Sequence, residues 1–121
     1  MDGTVLVADD DRTIRTVLTQ ALTRAGCKVH APSSLVTLMR WVEEGKGDLV
    51  ISDVIMPGLD GPSLLKKARK YLGDAPVMFI SGYAESDFSD LLQDEVGVSL
   101  LPKPLDIKTL AERVKQELRS A

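Results

Sequence analysis

Five polar residues in this 121-residue sequence stand at the ends of short apolar runs: Asp9, Asp10, Asp53, Ser81 and Lys103. Three of them are carboxylates, which repel one another at close range unless a cation lies between them. Oxygen ligands with no His or Cys nearby favour a hard ion, Mg²⁺ or Mn²⁺, over zinc. The lysine adds a compact positive charge that can pair with a carboxylate or a phosphoryl oxygen. A divalent cation is therefore the expected partner of these carboxylates.

The elements that must position these residues are short apolar runs alternating with longer segments of helical period. This alternation is typical of βα repeats around a parallel sheet. Strands are predicted at residues 4–8, 28–31, 48–52, 77–80 and 98–101. Helices are predicted after each of them, the fourth being short and polar over residues 86–93. The pattern predicts an α/β fold with a doubly wound, five-stranded parallel sheet, in which the loops after the strands form the ligand crevice.

The first predicted helix has the clearest pattern. It begins at Arg12, and Gly26 supplies its stop. Its apolar stripe consists of Ile14, Val17, Leu18, Ala21, Leu22 and Ala25. Asp11 is predicted to cap this helix, and Ser33 or Ser34 the next one.

Helix capping is also the alternative explanation for the other aspartates, because Asp-rich strand ends are often caps or solvated loops. Only the joint placement of the acids with Ser81 and Lys103 favours a site.

Composition excludes several functional classes. The chain carries 15 Lys and Arg against 18 Asp and Glu, a net charge of −3, so direct binding of nucleic acid is not expected. Apolar runs of about five residues are far too short to span a bilayer, which takes roughly 20. A single cysteine, Cys27, and the absence of a leader pattern argue against secretion. We expect one cytoplasmic domain over residues 1–121. A calcium-binding EF-hand loop starting at Asp9 is excluded, because its sixth position would be Ile14 and its twelfth Gln20.

Taken in order, these residues resemble the receiver domain of two-component response regulators. The resemblance covers essentially the whole chain and rests on the acidic pair after the first strand, Asp53 in the segment DVIMPGLDG, Ser81 at the end of the fourth strand and Lys103-Pro104 after the fifth. It implies a flavodoxin-like fold with strand order 2-1-3-4-5 and five helices. It also implies a phospho-accepting switch, which undergoes autophosphotransfer and slow autodephosphorylation but is not a multiple-turnover enzyme.

The same resemblance implies a role for each site residue. Asp53 would accept a phosphoryl group from the phosphohistidine of a histidine kinase or a histidine phosphotransfer protein. Asp10, Asp53 and the main-chain carbonyl of Ile55 would bind Mg²⁺, with Asp9 contributing largely through water; Mn²⁺ is expected to substitute. Ser81 and Lys103 would hold phosphoryl oxygens. The partner surface would be formed by the fourth helix, the fifth strand and the last helix, and homodimer formation stays open.

The sequence departs from the usual receiver pattern on the fifth strand, where Leu100 replaces a frequent aromatic residue. Its two halves also point to different relatives. Residues 5–15 and 48–57 are similar to receivers of nitrogen-regulation-type activators, whereas residues 79–85 and 101–105 look more like the terminal receiver of a hybrid histidine kinase. An ordinary receiver with mixed features and a chimera joined between Pro57 and Pro76 both account for this.

Two other functional classes compete with a phospho-accepting receiver. A pseudo-receiver would bind a partner without phosphorylation, which the presence of the full set of site residues disfavours. A magnesium-dependent phosphohydrolase would use a similar crevice. Residues 2–4, Asp-Gly-Thr, superficially match part of its signature, but no Asp-x-Asp precedes the Gly-Thr and the chain has no cap domain.

Overall fold

Strands and helices alternate along the chain in the computed structural model, which describes residues 3–9, 11–53, 61–81, 98–102 and 106–120. The strands are β1 (Thr4–Ala8), β2 (Lys28–His30), β3 (Leu49–Asp53), β4 (Val77–Ser81) and β5 (Val98–Pro102). The helices are α1 (Arg12–Arg24), α2 (Leu35–Glu43), α3 (Gly61–Leu72) and α4 (Ile107–Ser120). The further helix predicted over residues 86–93 lies outside the described residues.

All five strands are parallel and lie in the order β2-β1-β3-β4-β5, which confirms the predicted topology. Every residue of β3 is buried, and β1 is buried from Val5 to Ala8. The absence of apolar and polar alternation in these strands follows from helices covering both faces of the sheet.

The core consists of two apolar clusters, one on each face of the sheet. Val5 and Val7 of β1 pack toward α1 and α4, whereas Leu6 and Ala8 pack toward α2 and α3. Successive residues of a strand point to opposite faces, so one strand supplies both clusters. None of the helices in the described part of the chain has the length and apolar character needed to cross a membrane.

The start and stop signals of α1 act as predicted. The side chain of Asp11 accepts hydrogen bonds from the main-chain N–H groups of Thr13 and Ile14, at 2.8 and 3.4 Å. Gly26 has a φ of 95°, a left-handed conformation that glycine adopts without strain. Helix α2 is capped by Ser34, whose hydroxyl accepts from the Val36 N–H at 3.2 Å, so the choice between Ser33 and Ser34 is resolved.

Gly47, between α2 and β3, sits where a larger residue does not fit. A Cβ atom there would lie 2.9 Å from Cδ1 and 3.0 Å from Cγ of Leu6, which is completely buried. We therefore expect Gly47→Ala to lower the free energy of unfolding by about 1–3 kcal/mol, because a packed core resists the added methyl group. Urea denaturation measures the loss. Combining it with Leu6→Val makes room, so the double variant should lose less than the sum of the two single changes; strict additivity would contradict the steric explanation.

Asp106 caps α4 in the same way as Asp11 caps α1. Its carboxylate accepts from the main-chain N–H of Thr109 at 3.2 Å, and this hydrogen bonding lowers the pKa of Asp106 below its ordinary value of 3.8. A depressed folded-state pKa stabilises the fold above the unfolded value and stops doing so as pH falls through the folded value.

Asp106→Ala is therefore expected to lower the urea midpoint at neutral pH. The difference from the original chain should shrink as pH falls below 3.8 and through the lower folded-state pKa, where the Asp106 carboxylate of the original chain becomes protonated and neither protein has a charged cap. The exposed Asp74, in the turn after α3, provides the control variant Asp74→Ala. A midpoint difference for Asp106→Ala that is independent of pH would rule out the charged cap.

Candidate functional site

The carboxyl ends of β1, β3, β4 and β5 meet at one edge of the sheet. The register pairs Ala8 with Ser52, Asp53 with Ile80, and Ser81 with Pro102. Asp9, which follows Ala8, is therefore next to Asp53 across the β1–β3 pair. The main chain of Ser81 lies one residue beyond the partner of Asp53. The structure thus brings Asp9, Asp53 and the Ser81 position together at this edge.

Asp9 is held in place by two hydrogen bonds at the turn between β1 and α1. Its Oδ1 accepts from the Asp11 N–H at 2.8 Å, and its main-chain carbonyl accepts from Nη1 of Arg15 at 2.7 Å. Asp11 in turn caps α1, so the strand end and the helix start form one connected turn. Only 1% of Asp9 is exposed to solvent. Asp9 is therefore buried at the edge of the sheet instead of lying on the open surface.

Asp53 is 3% exposed and is the last residue of β3. The sequence predicted that it follows the strand; instead it still pairs with Ile80 of β4, so it is held by the sheet itself. The hydroxyl of the completely buried Ser52 donates to the Asp53 carbonyl at 3.1 Å. Asp53 is thus a carboxylate on a rigid strand, at the point where the chain leaves the sheet.

Asp9 and Asp53 continue the same face of the sheet. Each comes two residues after a side chain in the α1 and α4 cluster, Val7 for Asp9 and Ile51 for Asp53. Two buried carboxylates on neighbouring strands repel each other, and a cation between them offsets that repulsion. Their oxygens are the ligands that Mg²⁺ prefers. The residues present therefore fit a hard divalent cation.

The other predicted ligands and contacts fall partly outside the described residues. Asp10, Ile55 and Lys103 lie outside them, and Ser81 is described by its main chain alone. Within the described ranges, no group of three or more His, Cys, Asp or Glu residues is arranged to hold a metal. The site that the structure describes is thus the Asp9 and Asp53 pair with the adjoining end of β4.

Sequence reasoning missed two residues that touch the acidic pair, Arg15 and Ser52. Arg15 was not part of the apolar stripe of α1, and its position as the fourth residue of a helix gave no sign that its side chain reaches back to Asp9. Ser52 stands among apolar residues in a buried strand. A polar side chain inside such a run was the available signal, because a buried hydroxyl is expected to find a hydrogen-bond partner.

The fold and the site define a class of protein. The chain belongs to the response regulator receiver domain family, whose model matches residues 5–115. Receiver domains are components of two-component systems and act as regulatory switches instead of ordinary enzymes.

Three comparisons illustrate the receivers to which this chain is similar. It is 42% identical over 118 residues to the DNA-binding transcriptional regulator NtrC of Azospirillum brasilense, covering 98% of this chain and 24% of that protein. It is 41% identical over 118 residues to the sensor kinase CckA of Brucella abortus (strain 2308), covering 96% of this chain and 12% of the kinase. The crystal structure of the receiver domain from hybrid histidine kinase CckA superposes with a TM-score of 0.80 at 52% identity, covering 96% of this chain and 99% of that one.

Both resemblances inferred from the sequence are confirmed by these relatives. Each of the two relatives aligns with nearly the whole chain, 98% of it for the NtrC relative and 96% for the kinase. The chain spans about a quarter of the length of the NtrC relative and about an eighth of the kinase.

Proposed function

We propose that residues 1–121 form one phospho-accepting receiver and that Asp53 takes the phosphoryl group. The observation that carries this proposal is the pair of buried carboxylates, Asp9 and Asp53, 1% and 3% exposed at the ends of neighbouring parallel strands. A rigid strand end holds the Asp53 oxygen in a fixed position, and in-line phosphoryl transfer depends chiefly on positioning and on charge neutralisation.

In the proposed step, a carboxylate oxygen of Asp53 attacks the phosphorus of a phosphohistidine. The phosphorus–nitrogen bond breaks, and its electron pair stays on the imidazole nitrogen of the donor. The product is an acyl phosphate on Asp53. Water later attacks the phosphorus, which releases inorganic phosphate and restores the carboxylate. Because hydrolysis of the acyl phosphate is slow, the phosphorylated state persists, and the domain acts as a switch with autophosphotransfer and slow autodephosphorylation instead of a multiple-turnover enzyme.

The residues proposed to hold Mg²⁺ are Asp9, Asp10, Asp53 and the carbonyl of Ile55, with Mn²⁺ able to replace it. Bound Mg²⁺ would supply positive charge that offsets both the carboxylate repulsion and the charge of the phosphoryl oxygens. Ser81 and Lys103 are proposed to contact those oxygens, Ser81 by its hydroxyl and Lys103 by its ammonium group. Phosphorylation would then change the surface formed by residues 86–93, β5 and α4.

The proposed donor is a histidine kinase or a histidine phosphotransfer protein. Relatives include a DNA-binding transcriptional regulator and a sensor kinase, so either kind of parent protein fits a receiver of this sequence. The domain itself is proposed to act in the cytoplasm without binding nucleic acid, as its net charge of −3 favours.

The test is to incubate the protein with Mg²⁺ and a small acyl-phosphate donor and to record its intact mass. We expect the mass of one phosphoryl group to be gained, and the gain to require Mg²⁺. Peptide mapping should locate the group on Asp53. A folded protein that binds Mg²⁺ but gains no mass would instead favour a pseudo-receiver.

A further inference from the structure

Arg15 links helix α1 to the edge of the sheet at which Asp9 and Asp53 lie. Its guanidinium donates from Nη1 to the main-chain carbonyl of Asp9 at 2.7 Å, in a partly buried setting. Its own N–H donates to the carbonyl of Asp11 at 3.1 Å. The Asp9 carbonyl belongs to the peptide unit that joins Asp9 to Asp10. A charged donor on that oxygen therefore orients the link between two of the proposed Mg²⁺ ligands.

We propose that Arg15 is a positioning residue for divalent-cation binding, an inference that rests on the proposed function. The Arg15 guanidinium donates to the main-chain carbonyl of Asp9, whereas the Asp11 N–H donates to the side-chain Oδ1 of Asp9 at 2.8 Å. The two bonds fix the main chain and the side chain of Asp9 independently. A ligand fixed in this way loses less conformational freedom when the cation binds, so the cation binds more tightly.

The charge of Arg15 acts in the opposite direction. A guanidinium near a divalent cation repels it, so removing the charge alone would tighten cation binding. Loss of the hydrogen bond from Arg15 to Asp9 would instead weaken cation binding. The sign of the change in affinity therefore separates a positioning role from a purely electrostatic one. It also separates both from a role confined to folding, which would leave the affinity of the folded protein unchanged.

The test measures Mn²⁺ affinity in the whole chain, from the electron paramagnetic resonance signal of free Mn²⁺, with Mg²⁺ as competitor. We expect Arg15→Gln to weaken binding by about 10-fold, the usual scale for losing a group that orients a metal ligand. Arg15→Lys keeps a charged donor on a long side chain, so its affinity should lie between those of Arg15→Gln and the original protein. Arg12→Gln is the matched control, because it removes the same charge from the exposed start of the same helix. We expect it to bind Mn²⁺ with the original affinity or slightly more tightly.

Circular dichroism and the urea midpoint of each variant establish that the affinities compared are those of folded protein. Binding by folded Arg15→Gln that is as tight as in the original protein, or tighter, would overturn the positioning role. Equal weakening in Arg12→Gln would overturn it as well, since the effect would then not depend on the bond to Asp9. Failure of the original protein to bind Mn²⁺ or Mg²⁺ at all is a different result, because it would contradict the proposed function itself.

Discussion

Phosphoryl uptake should disappear when Asp53 is replaced by Asn. The Asn side chain keeps the size and shape of the carboxylate, so the 3% exposed position at the end of β3 can be filled without repacking. It lacks the anionic oxygen that attacks phosphorus, and removing a nucleophile is among the costliest changes at a catalytic site. We expect the rate of mass gain with Mg²⁺ and an acyl-phosphate donor to fall by about 1000-fold or more.

Asp48→Asn is a suitable control for this change. Asp48 immediately precedes β3, at the opposite end of the strand from Asp53, and its Oδ2 accepts from the Thr4 N–H at 2.8 Å. An Asn oxygen can keep that bond, so the variant should fold and take up the phosphoryl group at the original rate. Uptake by Asp53→Asn at an undiminished rate would show that another residue is the acceptor, and peptide mapping would identify it.

Truncation of Phe79 is expected to cause the largest loss of stability among the core changes. Phe79 has the largest of the fully buried side chains in the described part of the chain. It lies in β4, in the cluster between the sheet and helices α2 and α3. Phe79→Ala should lower the free energy of unfolding by about 3–5 kcal/mol, through lost burial and the cavity left behind. Domains of this size are typically stable by about 5–15 kcal/mol, so the change removes a large part of the free energy of unfolding. Urea denaturation monitored by circular dichroism gives the value.

Val36→Ala shows what the same kind of truncation does outside the core. Val36 lies on α2 and is 71% exposed, so its loss should change stability by no more than about 0.5 kcal/mol. Phe79→Leu keeps most of the buried volume and should cost less than Phe79→Ala. If Phe79→Ala were as mild as Val36→Ala, β4 would not be packed as the structure has it.

The number of strands and their common direction could be predicted because β1, β3 and β4 are apolar runs. A strand covered on both faces has no reason to alternate, and the intervening helical stripes require long crossovers between parallel strands. The placement of Asp9 and Asp53 followed from the same reasoning. Both stand at the ends of neighbouring central strands, and parallel strands present all such ends at one edge.

The remaining details depend on neighbours that a segment's own pattern does not contain. Asp53 belongs to β3 because β4 continues far enough to pair Ile80 with it. Arg15 contacts Asp9 because a long side chain can reach back across the start of α1, and periodicity says nothing about such reach. The helix predicted over residues 86–93 and the roles of Asp10, Ile55 and Lys103 fall outside the described residues and stay predictions.

The strand order also determines when, during synthesis, Asp9 and Asp53 can first come together at the edge of the sheet. Once β3 pairs with β1, Asp9 and Asp53 are neighbours, although β4 and β5 have yet to be made. Each later strand then joins the outer side of the previous one, β4 on β3 and β5 on β4, and neither has to insert between strands that are already paired. Chains emerge from the ribosome with the N-terminus first. The sheet can therefore grow in the direction of translation, and the acidic pair can form before β4 and β5 are added.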